Sequence, residues 1–216
     1  MKLRMASLTI LCLALAAIPA WADYNNGLIN GSTDAWDIVL GYIVSDTFNV
    51  SSGQTVTGFS LGVWNELDGP MTTLQWSLTS QENGGTVYGS GVATSAGGTL
   101  VSQFLSDNQY GYEIDRITVT GLNVNFSSGG TYWLNLQNAN NADGDGYYFW
   151  DENSGVGCSS PGCPSQASES VVGTIPSESF TINTTGGGGT TPEPGSFILV
   201  CSGIVGLGGA LRRKLL

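Results

Sequence analysis

Leu122-Asn123-Val124-Asn125-Phe126 is followed by Ser127-Ser128-Gly129-Gly130 and then by Tyr132-Trp133-Leu134-Asn135-Leu136-Gln137. Apolar and polar side chains alternate in both runs, the period of a strand that buries one face. The serines and glycines between them are turn formers. The same pattern extends outward in both directions. Phe59, Leu61 and Val63 alternate with Gly58, Ser60 and Gly62, and Leu74, Trp76 and Leu78 with Thr73, Gln75, Ser77 and Thr79. Phe180 and Ile182 continue it further on. Turn signals stand at Ser51-Ser52-Gly53, Asp68-Gly69-Pro70, Asn83-Gly84-Gly85 and Ala96-Gly97-Gly98. No helical periodicity of useful length occurs before residue 197. Many short antiparallel strands over this length predict an all-β fold, an antiparallel two-sheet β-sandwich of jelly-roll-like kind. Its expected core includes Phe59, Leu61, Trp76, Leu78, Leu134 and Leu136.

The two ends read differently. Residues 1–22 have the parts of a secretory signal peptide: Lys2 and Arg4, the apolar run Ala6–Ile18, and the cleavage site Ala20-Trp21-Ala22. The mature chain is expected to begin at Asp23, with the β-sandwich ectodomain over 23–183. Residues 184–191, with Gly186 to Gly189, read as a flexible Gly/Thr linker. The uncharged run 197–211, 15 residues long, then precedes Arg212-Arg213-Lys214. As an α-helix it would span about 22 Å, short of a hydrocarbon core of roughly 30 Å. Snorkelling of the basic side chains and local thinning cover part of the difference. The run reads as a transmembrane helix with its basic end in the cytoplasm and everything before Pro192 on the far side.

Residues 192–216 resemble the PEP-CTERM sorting signal of Gram-negative bacteria. The motif residues are Pro192, Glu193 and Pro194, followed by the short apolar segment and by Arg212, Arg213 and Lys214. The resemblance covers only this tail. It implies processing by an exosortase, a membrane-embedded transpeptidase-like enzyme, and an association with exopolysaccharide production and export. It also implies an inner-membrane-anchored precursor that ends at the cell surface or in the extracellular matrix. The stretches 58–64, 129–138 and 148–153 resemble a recurrent ectodomain type of such proteins, which supports the fold and carries no activity.

Charge narrows the partners. The chain has 17 acidic residues, 6 basic ones and no His. Between Asp23 and Thr191 only Arg116 is basic, against 16 acidic residues, so this segment carries −15. Such a surface repels nucleic acid and anionic headgroups and is compatible with divalent cations or neutral sugars. The absence of His excludes Ser-His-Asp and Cys-His nucleophiles, and the absence of Lys from the mature domain excludes a Ser-Lys pair. No Gly-Lys-Ser/Thr phosphate loop occurs. Arg116 is expected in a structural ion pair with Glu113 or Asp115. Cys12 falls in the signal and Cys201 in the apolar tail. That leaves Cys158 and Cys163, flanking the turn dipeptide Pro161-Gly162, as a local disulfide in an oxidising compartment.

The densest constellation runs from Asn140 to Asn153. Asp143 and Asp145 are spaced like the start of a calcium loop, although Tyr147 occupies the next ligand position of an EF-hand. The segment reads as a turn with core aromatics and no cofactor, or as a calcium loop with Asp143, Asp145 and Asp151 as the candidate ligands. Tyr147, Tyr148, Phe149 and Trp150 could offer sugar rings a stacking face, but alternate ones must point inward. Two carboxylates can run glycoside hydrolysis, with Asp143, Asp145, Asp151 and Glu152 as candidates. The expected function is that of a non-enzymatic, exported, surface-anchored or exosortase-processed protein associated with extracellular polysaccharide or matrix. The alternative is a carbohydrate-binding module or a carboxylate-dependent glycoside hydrolase.

Overall fold

The computed structural model describes residues 24–67, 69–153, 155 and 157–186. The signal peptide, Pro192-Glu193-Pro194, the apolar segment 197–211 and Arg212 to Lys214 lie outside the described residues. Thirteen strands are present, and no helix occurs among the described residues. They are β1 (Tyr24–Asn25), β2 (Ala35–Asp37), β3 (Val44–Val50), β4 (Gln54–Asn65), β5 (Thr73–Gln81), β6 (Gly84–Thr94) and β7 (Leu100–Asp107). The rest are β8 (Glu113–Phe126), β9 (Gly130–Asn140), β10 (Tyr148–Asp151), β11 (Ala167–Glu169), β12 (Gly173–Ile175) and β13 (Phe180–Gly186).

Every pairing is antiparallel, and the strands form two sheets. In the first, β4 is central. β8 and then β7 lie on one side of it; β13 and β10 share the other, continued by β1 and β2 respectively. The second sheet runs β12-β11-β3-β9-β5-β6. Apolar residues of both sheets form one core, as in a β-sandwich. Phe59, Leu61 and Val63 enter it from β4, Leu134 and Leu136 from β9, and Phe180 and Ile182 from β13, all buried. The period-two reading therefore holds for these strands. The alternating runs 122–126 and 132–137, adjacent in sequence, belong to opposite sheets: β8 pairs with β4 and β7, β9 with β3 and β5.

Three expectations need adjustment. Trp76 is only half-buried: its ring packs edge-on against Phe59 and over Gly91 on the edge strand β6, so solvent reaches its outer side. Arg116 is exposed, whereas Asp115 is buried and accepts hydrogen bonds from Ser102 Oγ (3.1 Å) and Asn65 Nδ2 (3.5 Å). Successive strand residues face opposite ways, so these two do not pair. Finally, β13 continues through Thr184, Thr185 and Gly186, which pair with Val56, Thr55 and Gln54 of β4. The strand thus occupies the start of the expected linker, and 187–191 lie outside the described residues.

Two glycines are required by packing. A Cβ on Gly58 would stand 2.4 Å from the Val119 carbonyl oxygen, at the point where the β4–β8 register shifts. A Cβ on Gly89 would stand 2.4 Å from Val124. Its absence lets β6 of one sheet close against β8 of the other.

Candidate functional site

The loop after β9 is organised by Asn141. Its Oδ1 accepts from the backbone N–H groups of Asp143 (3.0 Å), Gly144 (2.7 Å) and Asp145 (3.2 Å), and its Nδ2 donates to Asp145 Oδ1 (3.0 Å). This is an Asx-type turn, which lays Asp143 and Asp145 on the surface. Asp151 has a different environment. It ends β10, is buried, and accepts from Trp64 Nε1 (2.7 Å), the N–H groups of Asn30 (2.9 Å) and Gly31 (3.0 Å), and Ser179 Oγ (3.0 Å). The three proposed calcium ligands are therefore not brought together. Among the described residues no group of three or more His, Cys, Asp or Glu side chains is placed to hold a metal. The neighbouring rings divide as alternation requires: Tyr148 and Trp150 fill the core, while Phe149 faces out with its edge to Tyr112.

A groove of about 890 Å³ opens on the outer face of the six-stranded sheet. Tyr132 and Leu134 point into the core, so Trp133 between them points out, flanked across the ladder by Thr47 and Thr79. Trp133 is partly exposed and lines the groove with Gln81, Glu82, Gln166 and Thr174. Asn153 and Ser177 add buried polar groups. Trp133 was legible in sequence as the outward member of an alternating strand. The segments that wall the groove with it, around 164–167 and 174–177, come from far along the chain.

Close to the groove lies a buried polar cluster. Asp46 of β3 is fully buried. It accepts hydrogen bonds from the Glu178 N–H (2.6 Å), Asn26 Nδ2 (3.4 Å), Ser177 Oγ (3.4 Å) and, at short range, Ser165 Oγ. Burial pushes its carboxyl up to about 8, although these donors work the other way. Asn26 also meets Ser177 Oγ (2.7 Å) and the Glu178 carbonyl (2.7 Å), tying β1 to the segment before β13. Asp46 and Glu178 carry no local sequence signal, because they sit in short polar stretches where nothing marks them as dehydrated.

The Cys158–Cys163 disulfide is formed, with a Cα–Cα separation of 5.8 Å that falls in the usual range for a bridge. It fits an oxidising compartment. A scan against protein-family models matches none for this chain, and a search of curated proteins returns no match.

Proposed function

We propose that the chain is an exported, surface-anchored, non-enzymatic protein that engages neutral extracellular polysaccharide through the groove at Trp133. The observation that carries this reading is a partly exposed indole lining a surface groove, bordered by amide, hydroxyl and carboxylate side chains. An aromatic face with a few convergent polar groups suits a ligand that has both apolar and hydrogen-bonding surfaces. The charge of −15 over residues 23–191 disfavours anionic ligands. Hydrolysis by the usual route needs two facing carboxylates. Among the described residues Glu82 is the one acidic residue lining the groove, which favours binding over hydrolysis.

The experiment is affinity electrophoresis of the full-length protein in detergent, through gels containing neutral polysaccharides or the producing cell's own exopolysaccharide. Trp133→Ala is expected to weaken retardation about tenfold or more, equivalent to roughly 1.4 kcal/mol. Because the ring lies outside the hydrophobic core, the fold should persist, as far-UV circular dichroism would verify. Equal retardation of variant and wild type would reject the groove as the binding face.

Anchoring is assigned to the tail on the strength of its PEP-CTERM resemblance. Replacing Pro192, Glu193 and Pro194 by alanine is expected to leave an unprocessed, membrane-held species in the native host, visible as a larger band on immunoblots. Identical processing of both forms would remove the exosortase from the picture and leave a plain membrane anchor.

A further inference from the structure

Both sheets end in an open edge on the same side of the sandwich. Among the described residues β7 pairs only with β8, and β6 only with β5. Gly89 of β6 packs on Val124 of β8, so β6 lies over β8 and β7 projects one strand beyond it. Leu100 at the start of β7 is buried, and Ser102 Oγ donates to the buried Asp115 (3.1 Å), so the even-numbered side chains there face inward. Phe104 belongs to that inward face and is nevertheless 55% exposed, because the other sheet stops short of it. Val101, on the outward face, is 57% exposed. The ladder to β8 is regular from Leu100 to Phe104 and shifts only beyond it.

Sheets ordinarily guard such an edge with charge, Pro or a covering segment. From Asn83 to Ser106, which takes in β6 and most of β7, no residue is charged and none is Pro. The segment 23–191 around it carries −15. That contrast selects the occupant. Two copies of the chain repel wherever their acids face each other, and across this edge they meet without that penalty. A basic partner would be drawn to the acids elsewhere, and an acidic one gains nothing here. The open row of N–H and C=O groups on β7 calls for another open strand edge. Every copy brings one, of the same length and the same neutral, apolar character.

We propose that the chain forms a two-fold dimer by antiparallel pairing of β7 with β7 of a second copy. The contact is isologous, the same strand serving on both sides, so it closes on itself and ends at two chains. It joins the two seven-stranded sheets into one and shelters both Phe104 rings between the two β6 strands. The dimer does not rest on the sugar-binding reading: the Trp133 groove lies on the outer face of the other sheet and stays open.

The test is analytical ultracentrifugation of the full-length protein in a non-ionic detergent over a concentration series. Wild type is expected to sediment as two chains and to dissociate on dilution. Added salt should tighten the dimer, because it screens the acidic charge that each copy carries. Val101→Glu with Phe104→Glu sets like charges along the paired edge and should weaken the dimer about tenfold or more. Both side chains are more than half exposed, so the fold should persist, as far-UV circular dichroism would verify. Val171→Glu with Val172→Glu adds the same charge to exposed positions beside β11 and β12, at the opposite end of the other sheet, and should leave the dimer in place. A monomeric wild type would give the edge to a different partner and overturn the proposal. So would a dimer that the β7 charges leave unchanged, or one that the control pair weakens as much.

Discussion

Trp150→Ala is expected to destabilise the protein by about 3 to 5 kcal/mol. The ring is fully buried on β10, edge-on to Phe180 at 5.5 Å, and its Nε1 donates to the Ser179 carbonyl at 3.1 Å. Its β-ladder partners are Trp36 on one side and Val63 on the other. Truncation leaves a cavity whose walls belong to three strands of one ladder, so little of it can collapse. It also removes the shorter of two hydrogen bonds to the Ser179 carbonyl, which keeps the Gly62 N–H at 3.4 Å. Against a total stability of about 5 to 15 kcal/mol this is a large fraction. The melting temperature should fall by roughly 6 to 20 °C. Trp76→Ala makes the comparison. That ring is half-buried over Gly91, and its removal should cost less than half as much. Chemical denaturation followed by far-UV circular dichroism gives both values. A Trp150→Ala loss within about 1 kcal/mol of zero, or a larger loss at Trp76, would contradict the packing described.

Stability is expected to fall as pH rises from about 5 to 8. The sign follows from Asp46. Its folded-state value is pushed up to about 8 by burial, above the ordinary 3.8. Between those values the folded protein holds a proton that the unfolded chain has released, so raising the pH favours unfolding. The slope for one such proton approaches about 1.4 kcal/mol per pH unit and vanishes above the folded value. Glu178 beside β13 reinforces this, held upward by burial and by the Asp46 charge. Burial also raises Asp37, Asp115, Asp151 and Glu152. Glu169 acts in the opposite sense. Burial raises it, but the Ser170 hydroxyl and the N–H groups of Ser170, Val171 and Val172 together hold it low. Denaturant midpoints at pH 5 and pH 8 measure the sum. Asp46→Asn should flatten the dependence. Stability that is constant or rising over this interval would show that the Asp46 carboxyl is not dehydrated as described.

Alternation alone marked the strands and their buried faces. Phe59, Leu61, Leu134 and Leu136 are in the core because a pleated backbone sends every second side chain the same way. The same rule put Tyr148 and Trp150 inside, Phe149 outside, and Trp133 on the open face of its sheet. The Cys158–Cys163 bridge was legible too, since both sulfurs lie within one tight turn. Trp76 faces the core as the rule requires but is only partly covered, because its cover depends on β6, an edge strand that offers Gly91 beside the ring. Phe126 and Tyr132 lie a few residues apart yet enter the core from opposite sheets, a pairing that no local pattern encodes. Asp151 is only six residues beyond Asp145, but β10 carries it inward to four donors while Asp145 stays in water. Asp46, Glu152 and Glu178 are far apart in the chain and were dehydrated together only when β3, β10 and the approach to β13 met. Side-chain direction is a property of the local backbone and can be read from neighbours in sequence. Strand partnership and the loss of water around a carboxylate depend on segments a hundred residues distant, and arise only when the chain closes on itself.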